Sequence, residues 1–310
     1  MSAAAGSRAR KQRARTGARS LEGLRPPVDP MDRVLALSAL AGLTGLALIT
    51  LFVFKEGLPF IGRVGLFPMV LGIEWSPWTG QAGILPMIAG SVAVTLGALL
   101  LGVPAGLGAA VFLAEIAPRW FARIVRPAVE LLAGIPSVVY GFYGVAVLIP
   151  AIRRAFGGPG FSVLAGALVL GLMILPTIVS ISENALRAVP GEYREASLAL
   201  GATEWQTVTR VVVPAARRGI LAAVVLATGR AVGETMAVIM VTGNVPRLPS
   251  SVLDPVRTLT GNIVLEMGYA AGEHRQALFA TGVVLFAFVM VLNGLANVLA
   301  GRAGQRGSGR

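Results

Sequence analysis

The sequence contains no cysteine and only one histidine, His274. The missing cysteine excludes a disulfide framework, a thiolate metal site and a thiol nucleophile. With a single histidine, a histidine-based zinc site or a Ser-His-Asp triad is hard to build. Because His274 lies between Glu273 and Arg275, we interpret it as a solvated loop residue. We therefore predict no cofactor, no metal site and no enzymatic activity in this chain.

Charged residues are also scarce, at 14% of the 310 residues against 55% hydrophobic residues, and the mean hydropathy is +0.75. A soluble chain carries about 25% charged residues. The shortfall predicts that lipid surrounds most of the chain.

Lysine occurs only at Lys11 and Lys55, and neither residue stands in a Gly-Lys-Ser/Thr context. A phosphate-binding P-loop therefore cannot form. If this chain takes part in ATP-driven transport, a separate protein must bind the nucleotide.

The net charge of +12 is concentrated at the two ends of the chain. Residues 1–33 hold eight basic side chains, and residues 301–310 hold three more. Basic tails that flank apolar segments are typical of the cytoplasmic ends of membrane proteins and are attracted to anionic lipid headgroups. We expect the tail 1–33 to be disordered, and we predict no nucleic-acid partner.

Six apolar segments are long enough to cross a bilayer, which takes about 20 residues per helix. The sequence thus predicts an all-α membrane protein, a bundle of six transmembrane helices over residues 34–300 followed by a short tail, 301–310. The predicted spans are 34–54, 87–114, 131–152, 160–181, 219–244 and 276–300. We interpret the first span as a retained anchor, because no small-residue cleavage site follows Phe54.

The connections between the spans predict the orientation. With the N-terminus inside, the internal segments carry 19 Lys and Arg residues and the external segments carry 7. Positively charged loops stay on the cytoplasmic side. Both termini are therefore predicted to be cytoplasmic.

The external connection 245–275 has apolar residues at helical spacing, from Leu253 and Val256 to Leu259 and Met267. This pattern predicts an amphipathic helix that lies on the bundle or in the membrane interface.

Two charged residues, Arg230 and Glu234, stand inside the fifth predicted span. At a spacing of four they lie on one face of a continuous helix. Two interpretations stay open: an ion pair within the helix that holds the bundle together, or an anion pathway in which the guanidinium binds an oxyanion through two parallel hydrogen bonds. In the second, Glu234 holds Arg230 when no anion is present, or accepts a proton from a protonated anion, and it repels a fully ionised one.

The longest internal connection, 182–218, has a distinctive pattern. Glu195, Ala196 and Ser197 are followed after three residues by Gly201, and after nine more by Val211, Val213 and Pro214. The pattern predicts a helix that ends near Gly201, a turn, and a second helix stopped by Pro214. The apolar residues Leu198, Trp205, Val208, Val211 and Val212 predict a protein partner for this loop.

This loop resembles the signature of ABC importer permeases, which is Glu-Ala-Ala, three residues, Gly, nine residues and Ile-x-Leu-Pro. Glu195, Ala196, Gly201 and Pro214 match at the family's spacing, and the differences at the other positions are conservative. The resemblance implies that these four residues belong to a coupling loop that docks into a separate ATPase subunit.

Three further segments resemble the phosphate-specific branch of that family, of the PstC type. They are 229–238 (GRAVGETMAV, followed by Gly243 and Asn244), 130–141 (ELLAGIPSVVYG) and 254–260 (DPVRTLT). The resemblance runs from about residue 75 to residue 298. It implies the fold of a type I ABC importer permease, inorganic phosphate as substrate, and Arg230 and Glu234 as residues of the pathway.

The resemblance also implies the partners: a related permease subunit of the PstA kind, two copies of an ATP-binding-cassette ATPase, and an external phosphate-binding protein. The resemblance places the protein in the bacterial inner membrane. The alternatives are a permease for another oxyanion, such as sulfate or molybdate, and, less favoured, a stand-alone secondary transporter or a membrane receptor, which would need no ATPase.

Overall fold

The computed structural model describes residues 30–305, with side chains for residues 31–294. Most of the predicted basic tail and the last five residues lie outside the described part. The chain divides into two compact units, residues 1–52 and 53–310. In the first unit, residues 30–52 form the first turns of a long helix, and their large apolar side chains, such as Leu43 and Ile49, are exposed.

The described chain is almost entirely helical, because long apolar runs in lipid must satisfy their backbone groups internally. The elements, in chain order, are α1 (Pro30–Val64), α2 (Leu66–Leu71), β1 (Trp75–Ser76), β2 (Gln81–Ala82), α3 (Leu85–Val111), α4 (Arg119–Ala133), α5 (Ser137–Tyr143), α6 (Ile149–Phe156), α7 (Val163–Arg187), α8 (Gly191–Ala199), α9 (Glu204–Thr207), α10 (Val213–Gly233), α11 (Met236–Val241), α12 (Leu259–Met267) and α13 (Gly272–Gln305). A 3-10 turn, Pro77–Thr79, separates the two short antiparallel strands. Single π-helical turns follow α3, α5 and α9 at Phe112–Ile116, Gly144–Leu148 and Val208–Val212.

Six helical stretches of the described chain are long and apolar enough to cross a membrane, as the sequence predicts. They are Met31–Val64, Leu85–Ile116, Ser137–Phe156, Val163–Arg187, Glu204–Gly233 and Gly272–Gly294.

The centre of the second unit is the contact between α3 and α7. Small residues on α3 let the two helices approach closely, as is typical of membrane helices. A Cβ atom on Gly102 would lie 2.8 Å from Ile174, and one on Gly106 would lie 2.8 Å from Ile178. Since such distances are shorter than van der Waals contact, any side chain at these two positions would displace Ile174 or Ile178, and the glycines let α3 and α7 pack closely.

An outer layer is built around the β1–β2 hairpin, in which Trp75 pairs with Ala82. The hairpin and its neighbours share a fully apolar core with the last helix. Its buried members are Phe60, Met69, Ala82, Ile84, Met87, Leu259, Ala277 and Ala280. This core positions the connection between α11 and α13.

The third predicted span is interrupted near its start. Leu131 and Leu132 belong to α4, which ends at Ala133, and the spanning helix begins only at Ser137. Pro136 explains the break, because its ring keeps the preceding residue out of the helical region and it has no N–H to donate.

The amphipathic helix predicted across 245–275 is wrong for its first half. Leu253 and Val256 precede α12, which begins at Leu259. The N–H of Val256 donates to the carbonyl of Thr242 instead of joining a helix, and Pro255 beside it cannot donate at all.

Candidate functional site

The fifth spanning helix breaks beside the predicted charged pair. Helix α10 ends at Gly233, Glu234 adopts an extended backbone with φ −69° and ψ 132°, and α11 restarts at Met236. Glu234 and Arg230 are therefore not on one continuous helical face, and that prediction is wrong. Gly233 favours a break here, because glycine loses more conformational freedom in a helix than any other residue.

Threonine hydroxyls satisfy the backbone carbonyls that the break exposes. Thr235 donates to the carbonyl of Gly233 at 3.3 Å. Thr260, from α12, donates to the carbonyl of Glu234 at 3.1 Å. Broken helices at membrane depth are tolerated only where such groups are paired again. The break is thus stabilised by the connection that follows α11.

The side chain of Glu234 is half-buried and caps the second half of the broken helix. Its Oε1 accepts a hydrogen bond from the backbone N–H of Ala237 at 3.2 Å. A carboxylate beside the first turn of a helix is favourable, because the N–H groups there are unpaired.

Arg230 is exposed at the end of α10. Among the described residues it forms no ion pair and no side-chain hydrogen bond. The ion pair with Glu234 that the sequence left open is therefore not formed in this structure. The donors of the guanidinium are thus unpaired within the part of the chain that the structure describes.

A very small cavity of about 10 Å³, with a mostly apolar surface, lies next to Glu234. Hydroxyl groups from two different parts of the chain line it, namely Ser91 and Thr95 on α3 and Thr258 and Thr260 at the start of α12. Ser91 accepts the N–H of Leu259 at 2.9 Å and so ties α12 to α3. The surroundings of Glu234 are thus set by α3 as well as by its own helix.

The sequence did not predict a buried cluster of side chains centred on Glu266. This carboxylate accepts hydrogen bonds from Arg257 Nη1 at 2.6 Å and from Trp75 Nε1 at 2.8 Å, and it contacts His274 Nε2 at 2.7 Å. Arg257 also donates to the carbonyl of Asn244 at 2.9 Å. The cluster joins the β hairpin, α12, α13 and the turn after α11.

His274 is buried in this cluster, so its interpretation as a solvated loop residue is wrong. It lies in the first turn of α13, and its ring contacts Trp78 edge-on with centroids 4.6 Å apart. The prediction failed because it was based on the neighbours Glu273 and Arg275, which are exposed. Successive residues of a helix point in different directions, so their exposure does not indicate that of His274. Its environment is formed by Glu266, eight residues earlier, and by Trp75 and Trp78, which are far away in sequence.

The motif 254–260 holds the broken helix in place. Asp254 Oδ2 accepts the hydroxyl and N–H of Ser250 and the N–H of Ser251. These hydrogen bonds lower the pKa of Asp254 below its usual value, because they favour the charged carboxylate, and the hydroxyl of Ser250 contributes most. Within the motif, Arg257 and Thr260 then make the contacts to Asn244 and Glu234 described above.

The long internal connection forms a helical hairpin, α8 and α9, as predicted. Gly201 terminates the first arm with a left-handed φ of +84°. The second arm begins with a capping box, in which Thr203 and Gln206 satisfy each other's backbone N–H groups. The hydroxyls of Ser197 and Thr207 lie 2.9 Å apart and join the two arms.

Pro214 does not stop the second arm, so that prediction is wrong. Helix continues from α9 through the π turn Val208–Val212 into α10, and Pro214 lies in the first turn of α10. Proline is tolerated in the first turn of a helix, where its missing N–H removes no hydrogen bond within that helix. The second arm of the hairpin and the fifth span are therefore one continuous helical rod.

Large apolar side chains of the hairpin are exposed, including Tyr193, Leu198, Leu200 and Trp205. Val208 and Val212 instead point into the protein and are buried. Of the residues that the sequence assigned to this loop, Glu195, Ala196, Gly201 and Pro214 are all exposed. The hairpin thus presents an apolar surface that no other described residue covers.

Across the part of the chain that the structure describes, no three His, Cys, Asp or Glu side chains come together as a metal site. The charged clusters pair acids with arginines instead, as Glu183 does with Arg126 at 2.5 Å and Arg187 at 2.9 Å.

A family model described as "Binding-protein-dependent transport system inner membrane component" matches residues 102–305, which include the hairpin and the broken helix. The chain belongs to that family. It is a multi-pass permease of the inner membrane, and its family implies an ATPase and a binding protein as partners.

Several curated relatives are more than a third identical to this permease over the aligned residues. A probable ABC transporter permease protein, YqgH of Bacillus subtilis, is 46% identical over 67% of this chain and 70% of its own length. The phosphate transport system permease protein PstC of Mesorhizobium japonicum is 38% identical over 68% and 71%. PstC 1 of Mycobacterium tuberculosis is 36% identical over 68% and 69%.

Solved structures show the fold of the permease. An inward-facing MetNI methionine ABC transporter aligns with a TM-score of 0.57 at 22% identity, over 71% of this chain and 95% of the other. A bacterial ABC transporter for alginate import aligns with a TM-score of 0.57 at 16% identity, over 88% and 99%. The predicted fold, that of type I ABC importer permeases, is confirmed.

Proposed function

We propose that this chain is the membrane-spanning permease subunit of an ATP-driven importer of inorganic phosphate, and that it works by alternating access. Its relatives in M. japonicum and M. tuberculosis are phosphate transport system permease proteins. The segments that carry this resemblance are the ones that build the broken fifth helix and its surroundings.

The observation that carries the proposal is that Arg230 is exposed and forms no ion pair with a described residue. Its guanidinium is exposed at the end of α10, without a carboxylate partner among the described residues. A charged side chain within a membrane span is costly and faces a cavity or a partner. A guanidinium binds an oxyanion through two parallel hydrogen bonds. Arg230 is thus suited to receive phosphate from the pathway.

Glu234 has a different role from Arg230. It sits on the other side of the break and caps α11, so its charge remains near the pathway without neutralising the arginine. A carboxylate repels a doubly charged phosphate more than a singly charged one. Glu234 therefore favours the protonated form of the substrate.

The hairpin α8–α9 is the proposed dock for the ATPase, with Glu195, Ala196, Gly201 and Pro214 on its exposed surface. Two ATPase copies, a second permease of the PstA kind and an external phosphate-binding protein complete the transporter. Both termini are cytoplasmic, which places the hairpin on the ATPase side. Closure of the ATPase pair moves the hairpin, and the rod that continues into α10 turns Arg230 from one side of the membrane to the other.

Phosphate uptake by the reconstituted transporter tests the role of Arg230. We expect Arg230→Ala to lower uptake about a hundredfold, because a desolvated charged hydrogen bond to the anion is lost. Arg230→Lys should recover part of the activity, since lysine keeps the positive charge but cannot donate two parallel hydrogen bonds to the anion. The matched control is Arg154→Ala, an exposed arginine that bonds only a carbonyl of its own helix. Uptake at the wild-type rate in Arg230→Ala would remove Arg230 from the pathway.

Selectivity separates phosphate from other oxyanions. The same vesicles are offered labelled phosphate with an excess of sulfate or molybdate. We expect neither to compete, and full competition by sulfate would assign the permease to another oxyanion.

A further inference from the structure

Arg194, on the first arm of the hairpin, fastens that arm to α3. Its Nη2 donates to Glu115 Oε1 at 2.7 Å and its Nε donates to Glu115 Oε2 at 3.1 Å, a two-point contact between guanidinium and carboxylate. Glu115 stands in the π turn that ends α3. Arg194 directly precedes Glu195 of the coupling motif, but neither the family signature nor the sequence analysis gives it a role.

The same guanidinium also binds the end of α7. Nη1 donates to the carbonyl of Val189 at 2.7 Å, and Nη2 donates to that of Leu186 at 3.1 Å. The side chain of Arg194 is 26% exposed and that of Glu115 is 8% exposed. The hydrogen bond to Glu115 raises the pKa of Arg194 above its already high value, despite partial burial. The contact therefore joins three helices in a partly dry environment, where such bonds are strong.

Helices α3 and α7 lead from this contact to the substrate region. They pack closely against each other at Gly102 and Gly106. Helix α3 spans 27 residues, or about 40 Å. Near its other end it carries Ser91 and Thr95, which line the cavity beside Glu234. A displacement of the first hairpin arm thus has a stiff path to Glu234 that does not pass through the fifth span.

The hairpin has a second connection, which makes the first one testable. The Ser197–Thr207 hydrogen bond joins α8 to α9, and α9 continues into α10 and Arg230. Motion of the ATPase can therefore reach the pathway along two routes, one through Arg194 and one through Ser197.

We propose that Arg194 is a positioning residue of the transport cycle: through Glu115 it passes the movement of the coupling hairpin to the α3–α7 pair. This inference rests on the proposed function. In it, both sides of the cavity beside Glu234 move together, α10 through the helical rod and α3 through the Arg194–Glu115 pair. A permease without this pair still docks and stimulates its ATPase, but hydrolysis no longer moves the α3 side of the cavity.

The measurement is the number of phosphate ions taken up per ATP hydrolysed by the complete transporter in vesicles. We expect Arg194→Ala to lower this ratio about tenfold while ATP hydrolysis stays within about twofold of wild type. Arg194→Lys and Glu115→Gln should give intermediate ratios, because each keeps part of the contact. The matched control is Arg123→Ala, an exposed arginine of α4 with no side-chain hydrogen bond or ion pair in the described residues.

A cross-link distinguishes a loss of coupling from a loss of folding. Since the chain has no cysteine, Arg194→Cys and Glu115→Cys together introduce a unique pair of thiols, to be combined with a cysteine-free ATPase. Joining them in the assembled complex with a short bifunctional thiol reagent should restore the uptake ratio, and reduction of a cleavable linker should abolish it again. A folding defect would not respond to either treatment.

Two outcomes would overturn the inference: a wild-type ratio in Arg194→Ala, or no recovery on cross-linking. The proposed function fails in a different way, by absence of phosphate uptake in the wild-type complex. The two failures are therefore separable in the same vesicles.

Discussion

The carboxylate of Glu234 accepts a hydrogen bond from the backbone N–H of Ala237, 3.2 Å from Oε1, although Arg230 lies only one helical turn earlier in the sequence. The break at Gly233 separates the two charges, so that the acid caps a helix and the arginine stays available. The two roles of Glu234, cap and charge, can be separated by mutation, because an amide keeps the acceptor and loses the charge.

Glu234→Gln should therefore change the pH dependence of uptake more than its maximal rate. As the pH rises, phosphate becomes doubly charged, and the carboxylate repels it more strongly. We expect wild-type uptake to fall between about pH 6 and about pH 8, where phosphate groups lose their second proton, and the variant to fall less. Initial uptake rates across this range provide the measurement. Parallel profiles for the two proteins would show that the charge of Glu234 does not act on the substrate.

The left-handed conformation at Gly201 predicts a specific weakness in the hairpin. No neighbouring atom lies within 4 Å of a Cβ placed there, so Gly201→Ala adds only backbone strain, worth about 1 kcal/mol. Gly201→Asn should cost less, because asparagine enters this conformation more easily. Gly191→Ala is the control, since it also has open space but no positive φ. ATPase binding affinity should fall about fivefold for Gly201→Ala, and equal affinities for the two alanine variants would contradict the prediction.

The buried and exposed carboxylates of the outer layer predict opposite sensitivities. The side chain of Glu266 is 7% exposed and faces Arg257 and His274, whereas that of Glu273 is 67% exposed and pairs with Arg63 at the surface. Glu266→Gln should destabilise the permease by about 3–5 kcal/mol, because it leaves a buried arginine without its counter-charge. Glu273→Gln should cost at most about 1 kcal/mol. Thermal unfolding in detergent compares the two variants, and similar melting temperatures would show that the Glu266 cluster is not a stabilising unit.

Asp254 predicts a local response to acid in the turn before α12. Its pKa is lowered in the folded protein, so the hydrogen bonds from Ser250 and Ser251 contribute stability above the usual pKa of aspartate, about 3.9, and this contribution is lost as the pH falls through the lowered value. Asp254→Asn should expose the amides of Ser250 and Ser251 to hydrogen exchange at neutral pH. The difference from wild type should shrink below about pH 4. A difference that persists in acid would mean that the charge of Asp254 is not what holds this turn.

The local pattern of the sequence was sufficient for much of the fold. Six apolar stretches predicted six helices long enough to span a membrane, and the hairpin was expected from the spacing of Glu195, Ala196 and Gly201. These features depend on composition and on residues near one another in the chain. Pro136 and Gly233, by contrast, stand where spans were expected to continue, and whether such residues break a helix depends on whether neighbours satisfy the freed backbone groups. Thr260 does so for the break at Gly233.

The candidate site was visible only in part. Arg230 and Glu234 stood out because charges are rare in apolar spans. His274 and Glu266 did not, because a charged residue in a loop is normally solvated, and their burial depends on Trp75, which lies 191 residues before Glu266. Arg194 was hidden for the same reason, since its partner Glu115 lies 79 residues away.

The sequence by itself determined that this protein lies in a bilayer and how many times it can cross it, because the hydropathy of a segment depends only on the residues within that segment. Only the tertiary structure decided which charges are paired and which are available. Pairing depends on distances between segments that are far apart in the chain, and the energy of a buried charge is set by those distances.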